Sequence, residues 1–345
     1  MRAAVCRQFN APLVIEEVTL APPGHGEVEV TLAACAICHS DISFASGAWG
    51  GALPAVFGHE AAGRISAVGA GVQGLSTGMP VAVTLIRSCG NCPTCARAEP
   101  TSCAAHFPLD DTSPILLHDG QRAVHGMRTG AFAERVVLDA SQVVPVPATM
   151  PLDLAALLGC GVITGYGAVT RSVQVPSGAR VAVIGCGGVG INTLQGAALR
   201  DPACLIAVDV LPEKFALAEQ FGATHSVDAQ ASDAAAQVKR AAGGGGVDFA
   251  FVAAGHPSAI HLGLEVLARG GTMVLLGMPA ADVRVPFDPC SLASMGQRIV
   301  GSKMGSSDPR RDIPDLIALY ADKRLKLDEL VSGRFAFDEI NDAMA

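Results

Sequence analysis

The sequence predicts an α/β protein in two parts, a mainly antiparallel β region before about residue 150 and a parallel, helix-flanked sheet after it. Three observations carry that prediction. The chain has 345 residues, more than one ordinary domain of roughly 150 residues accommodates. Its first part alternates short β-branched runs with Gly/Pro-rich turns, whereas its second alternates apolar strands with helical stretches. From about Ile299 the second rhythm stops, and the remainder is expected to rejoin the first part.

In chain order, EVEVTLAAC (27–35), AAGRISAVGAGV (61–72), MPVAVTLI (79–86) and AERVVLDASQVVPVP (133–147) read as strands, with few helices between them. RVAVIGCG (180–187) then reads as a buried strand that enters a helix near Val189. LIAVDV (205–210) is the next strand, EKFALAEQFGA (213–223) a helix, and VDFAFVAAG (247–255) and GTMVLLGM (271–278) further strands. DIPDLIALYADKRL (312–325) reads as a helix and the run Gly243 to Gly246 as a loop. The expected domains are 1–161 with 300–345, and 162–299.

Composition removes several classes of function. With 24 basic and 32 acidic residues the formal charge is −8, and no block of basic residues offers a footprint for nucleic acid or anionic lipid. The N-terminus reaches charged residues too early for a signal-peptide core, and apolar runs such as LAALLGCGVITGYGAV are short and broken by glycine. No nucleic acid and no membrane partner is expected, and the location is expected to be cytoplasmic. Eleven cysteines in a reducing compartment point to metal rather than disulfides.

Gly185, Gly187 and Gly190 form G-x-G-x-x-G after the strand VAVI and at the opening of a helix, with Gly188 and Val189 inside the turn. Alone, that motif is only a tight corner. Asp209, at the end of the next strand and 24 residues past the first glycine, supplies the acidic residue of the dinucleotide fingerprint. The helix N-terminus offers free N–H donors to a pyrophosphate. Asp209 would accept from ribose hydroxyls and repel a 2′-phosphate, which favours NAD over NADP.

Cys89, Cys92, Cys95 and Cys103 follow C-x2-C-x2-C-x7-C, a spacing that suits a closed, structural zinc site. An iron–sulfur cluster and a nucleic-acid zinc ribbon are the alternatives, but no basic, aromatic surface surrounds the motif. CAICHSDIS (35–43), GHE (58–60) and GCGVITGYGA (159–168) add Cys38, His59 and Cys160 on separate segments. Individually each side chain can simply pack. Together they are two thiolates and an imidazole, the open catalytic set whose type example is alcohol dehydrogenase.

On GHEAAG, the four-cysteine motif, GCGVITGYGA, GCGGVG and Asp209, in that order, the chain resembles the zinc-dependent alcohol dehydrogenases of the medium-chain dehydrogenase/reductase family over nearly its whole length. The resemblance implies a Rossmann doubly wound sheet domain and a GroES-like catalytic domain. It implies two zinc ions per chain, NAD, a small-molecule alcohol or carbonyl substrate, and a homodimer or homotetramer. Cys38, His59 and Cys160 would hold the catalytic zinc, Asp41 would orient His59, and Glu60 would stand behind the metal. Ser40 would take the alcohol proton, and His39 would lie near the pyrophosphate. Lys214 would assist Asp209, while Thr164 and the backbone around Met278 would hold the nicotinamide. Trp49, Leu85, Phe132 and Met278 would line the substrate channel and favour apolar primary alcohols, aliphatic or aromatic. Cys35 has no matched role and is expected to pack.

Two departures qualify this reading. Ser43 stands where many relatives have a proton-relay histidine, and the sequence stops at FDEINDAMA, where relatives continue through a helix and strand carrying an arginine for the cofactor phosphates. Cofactor binding is therefore expected to lean on the glycine turn and His39 unless the sequence is clipped. The competing readings are a zinc-containing reductase of C=N or C=C bonds and a non-catalytic zinc-bearing relative.

Overall fold

The computed structural model describes all residues from Met1 to Ala345. They divide into two compact units, one of Met1–Gly161, Asp308–Asp322 and Leu327–Ala345, the other of Val162–Ser307 and Lys323–Lys326. No helix is long and apolar enough to cross a membrane.

The first unit contains β1 (Arg2–Cys6), β2 (Val14–Leu20), β3 (Glu27–Ala36), β4 (Ala55–Val56), β5 (Glu60–Val68), β6 (Pro80–Val83), β7 (Ile115–Leu117), β8 (Val124–His125), β9 (Arg135–Asp139) and β10 (Val143–Pro145). They form two five-stranded sheets, ordered β7-β2-β1-β4-β8 and β10-β6-β5-β3-β9. Every pairing is antiparallel except β4 with β8. The longest ladder, β3 against β5, runs from Val28↔Val68 to Ala36↔Glu60. Its Ala36↔Glu60 end therefore brings the segment entering Cys38 and the segment leaving His59 side by side. Alternating Val28, Val30, Ile65, Val81 and Val83 fill the core of the second sheet.

The second unit holds one parallel sheet of β11 (Arg180–Ile184), β12 (Cys204–Asp209), β13 (His225–Asp228), β14 (Val247–Val252), β15 (Leu267–Leu275) and β16 (Arg298–Gly301). Its order, β13-β12-β11-β14-β15-β16, is that of a Rossmann-type sheet. All six residues of β12 are buried, which is why the strand reads as a continuous apolar run rather than an alternation. Each such aliphatic side chain contributes about 1.5–3 kcal/mol by leaving water.

The end of this unit differs from the sequence reading. Arg298–Gly301 continues the parallel sheet through Thr272↔Arg298 to Leu275↔Gly301, so the boundary expected at 299/300 falls after Ser307. The strand is short and exposed at its edge, and neither period nor length announces it. Phe132 is 2% exposed and packs with Ala3, Val5 and Phe57.

His125 at the end of β8 carries a stability prediction. Burial pushes its imidazole down to about 4, Arg87 adding to the effect and Asp110 and the Thr129 carbonyl opposing it. Between pH 6.5 and 4 the unfolded chain binds a proton that the folded chain refuses, so stability falls as pH drops through that window. Urea unfolding at pH 7 and 4.5 should show wild type losing about 2–3 kcal/mol more than His125→Gln. Equal losses would mean that the ring protonates freely in the fold.

Candidate zinc and cofactor sites

Cys38 caps the short helix His39–Ala45, and Asp41 sits three residues in. The Cys38 backbone N–H donates to Asp41 Oδ2 at 3.0 Å, and the Gly58 N–H donates to Oδ1 at 2.8 Å. Asp41 and His59 are both fully buried, with His59 Nδ1 3.2 Å from Asp41 Oδ1. One carboxylate thus fastens two separate segments. Gly58 has φ +88°, and a Cβ there would meet the Phe132 backbone nitrogen at 2.6 Å, so only glycine lets the chain turn His59 inward.

Cys160, immediately before the helix Gly161–Gly167, completes the group. One ligand atom each from Cys38, His59, Glu60 and Cys160 all lie within 4.8 Å of one another. His59 Nε2 is buried without a hydrogen-bonding protein partner, as a nitrogen reserved for a metal would be. A hydrogen bond from the Cys160 thiol holds the Cys38 thiol well below its usual range, and the same contact raises Cys160. Burial pushes Glu60 up to about 8, and its Oε2 accepts from Gly161 N–H at 3.3 Å. His59 is raised because Asp41, beside it, outweighs the burial that opposes its charge. These groups suit a divalent cation: two sulfurs and a ring nitrogen, backed by carboxylates.

Ser40 Oγ lies 3.6 Å from Cys38 Sγ. Ser43 is 9% exposed, and its carbonyl accepts from Ser46 Oγ at 3.1 Å. Cys35 packs partly buried against the cores of both sheets, and His39 is exposed. Trp49 stands edge-on to Phe44 at 5.2 Å, and Phe44 stacks on Phe57 at 5.9 Å. Leu85 is half-buried.

The other four cysteines also converge. Cys103 Sγ is 3.8 Å from Cys92 Sγ and 3.7 Å from Cys89 Sγ, and Cys95 completes a set lying within 4.8 Å. Two sulfurs bound at about 2.3 Å to one tetrahedral zinc stand about 3.8 Å apart, so the spacing fits that ion. The Cys92 N–H points at Cys89 Sγ and the Cys89 N–H at Cys103 Sγ, as thiolates require. Cys92 is lowered to about 5, chiefly by the Thr94 hydroxyl. No two of the eleven cysteines are joined by a disulfide.

In the second unit the glycine turn links β11 to the helix Gly188–Ala198, capped by Gly187. A Cβ at Gly190 would strike the Gly185 carbonyl oxygen at 1.7 Å, whereas none at Gly187 or Gly188 would meet anything within 4 Å. The turn is closed toward the sheet and open outward, the shape a pyrophosphate needs. Asp209 Oδ2 accepts from the Cys186 N–H at 2.6 Å and Oδ1 from the Leu211 N–H at 3.0 Å, with Lys214 Nζ at 3.4 Å. Thr164 Oγ1 contacts Met304 Sδ at 3.6 Å. Val189 is half-buried, and Met278 is 61% exposed. Sequence reasoning missed the N–H donors of Gly58, Gly161 and Cys186, because a backbone donor leaves no mark on residue identity.

Comparison with known proteins agrees with this geometry. Residues 24–148 match the alcohol dehydrogenase GroES-like domain, and residues 188–322 match the zinc-binding dehydrogenase domain. The chain is 31% identical to alcohol dehydrogenase-like 7 of Arabidopsis thaliana, covering 99% of this chain and 91% of that one. Among solved structures it resembles an alcohol dehydrogenase zinc-binding domain protein from Burkholderia ambifaria, with TM-score 0.93, 34% identity, and 99% and 94% of the two chains covered. It also resembles benzyl alcohol dehydrogenase from Acinetobacter calcoaceticus, with TM-score 0.91, 31% identity and the same coverage. The chain belongs to the zinc-binding alcohol dehydrogenases of the medium-chain dehydrogenase/reductase family.

Proposed function

We propose that the protein reversibly oxidises an apolar primary alcohol, aliphatic or aromatic, to its aldehyde with NAD as hydride acceptor, secondary alcohols giving ketones more slowly. The observation that carries this is the convergence of Cys38, His59 and Cys160 around an unpartnered His59 Nε2, with Ser40 Oγ beside Cys38. Zinc bound there would supply Lewis acidity toward a substrate oxygen, and a nicotinamide cofactor would supply the hydride acceptor.

The protein residues do the rest. Cys38, His59 and Cys160 hold the ion, and Asp41 fixes the His59 tautomer with Nδ1 as donor, leaving Nε2 as ligand. Ser40 Oγ accepts the hydroxyl proton and passes it outward. Because Ser43 cannot shuttle protons as histidine does, water is the next acceptor. Gly185, Gly187, Gly188, Val189 and Gly190 would take the pyrophosphate, and Asp209 with Lys214 the adenosine ribose. Thr164 and the Met278 backbone hold the nicotinamide. Trp49 and Leu85 make an apolar wall; Trp49→Ala is accordingly the variant in which bulkier alcohols gain relative to small ones.

Ser40→Ala tests the reading. It should lower kcat for alcohol oxidation by about 10²-fold or more with zinc content unchanged; an unchanged rate would assign the proton to another acceptor. The second reading, a reductase of C=N or C=C bonds, draws on Ser43, since such chemistry needs no alcohol proton relay.

A homodimer is the proposed assembly. The edge strand β16 leaves Ile299 36% exposed, Met295 and Phe287 are also exposed, and an unpaired edge is a template for a second copy. Ile299→Lys should shift sedimentation from dimer to monomer; an unshifted dimer would place the interface elsewhere. The eleven thiols, none in a disulfide, support a reducing, cytoplasmic location.

A further inference from the structure

Arg87 lies on the segment between β6 and the four-cysteine lobe and is 2% exposed. Its Nη2 donates to Asp110 Oδ1, and its guanidinium lies over the Phe107 ring, 4.2 Å from the centroid. Nε and Nη1 are left buried with no protein partner. A buried arginine with two unmatched donor nitrogens is costly.

His125 presents the opposite need. Its Nε2 is 2.7 Å from the Thr129 carbonyl, and since a carbonyl only accepts, Nε2 carries the proton. In the neutral ring Nδ1 is then a bare acceptor, and it too is buried without a protein partner. Arg87 is near enough for its charge to act on this ring. Gln142 repeats the pattern: its Nε2 donates to the Thr84 and Arg128 carbonyls at 3.1 and 2.9 Å, while its Oε1 is buried and unmatched.

His125 and Gln142, with Thr129, hold a strained turn. Met127 and Arg128 are left-handed, with φ of 49° and 61°, a conformation that survives only where neighbours enforce it. Three successive carbonyls are gripped: Met127 by Thr129 Oγ1 at 3.0 Å, Arg128 by Gln142 Nε2, and Thr129 by His125 Nε2.

We propose that Arg87, His125 and Gln142 enclose an internal water site that ties the entry of the four-cysteine lobe to the turn Gly126–Thr129. The occupant must accept from a guanidinium and donate to an imidazole nitrogen and a carboxamide oxygen. A halide or other aprotic anion cannot donate, and a metal cation or ammonium cannot accept. Water does both, and one buried water making about three hydrogen bonds is the usual answer to such orphaned groups. By holding the free faces of His125 and Gln142, it fixes the tautomer and the amide orientation that grip the turn.

Crystals of the zinc-loaded full chain, soaked in bromide and measured at its absorption edge, test the proposal. The expected result is a water peak at about 2.7–3.2 Å from an Arg87 nitrogen and from His125 Nδ1, with no anomalous signal. A bromide peak at that position, or no peak, overturns it. His125→Gln, which keeps a donor for Thr129 and an acceptor for water, should retain the peak, and His125→Leu should lose it together with the left-handed φ at Met127. If His125→Leu does not fold, the wild-type and His125→Gln maps still decide.

Discussion

Cys160→Ser should yield a folded protein with one zinc per chain instead of two and turnover lowered by about 10³-fold or more. Cys160 is 6% exposed, and serine nearly matches its volume, so packing survives. A serine hydroxyl stays protonated near neutral pH, and Cys38 and His59 alone make a poor site. The effect on the other ion is the useful contrast. Cys92→Ser opens the set whose sulfurs stand 3.7 and 3.8 Å apart. It should release the second zinc and lower the unfolding temperature, since that lobe has only short helical turns around its ligands. Plasma emission metal analysis of both variants separates the sites. Two zinc ions and full activity in Cys160→Ser would contradict the ligand assignment.

Asp209→Gly should shift the NAD to NADP ratio of kcat/KM toward NADP by about 10²-fold or more, because two charge-assisted hydrogen bonds to ribose are lost and a repulsion disappears. The Asp209 carboxylate is 5% exposed and held by the Cys186 and Leu211 N–H groups and by Lys214, so it cannot swing away from a 2′-phosphate. Without it, Lys214 is released to meet that phosphate. Steady-state kinetics with both cofactors checks this. A wild-type protein that already turns over NADP better than NAD would defeat the proposed role of Asp209.

The elements that proved readable in the sequence are those where chemistry allows few residue types. A closed turn tolerates only glycine at Gly190, and thiolate ligands come only from cysteine, so the glycine fingerprint and both cysteine sets announce themselves. Strands such as β12, buried on both faces, are continuous apolar runs and stand out equally. The four residues of β16 do not, because half-exposed edge strands carry neither period nor length. Arg87 and His125 were silent because a buried polar cluster is defined by residues distant in sequence, each of which looks ordinary in its own segment.

The most direct test of the central claim is the initial rate of NADH formation by zinc-loaded protein with ethanol, hexanol, benzyl alcohol and cyclohexanol. Parallel assays would follow NADPH oxidation by a cyclic imine and an enone. The account predicts NADH from hexanol and benzyl alcohol at rates well above cyclohexanol, and no comparable NADPH oxidation. NADPH oxidation by the imine or enone, with no NADH from any of the four alcohols, would contradict it.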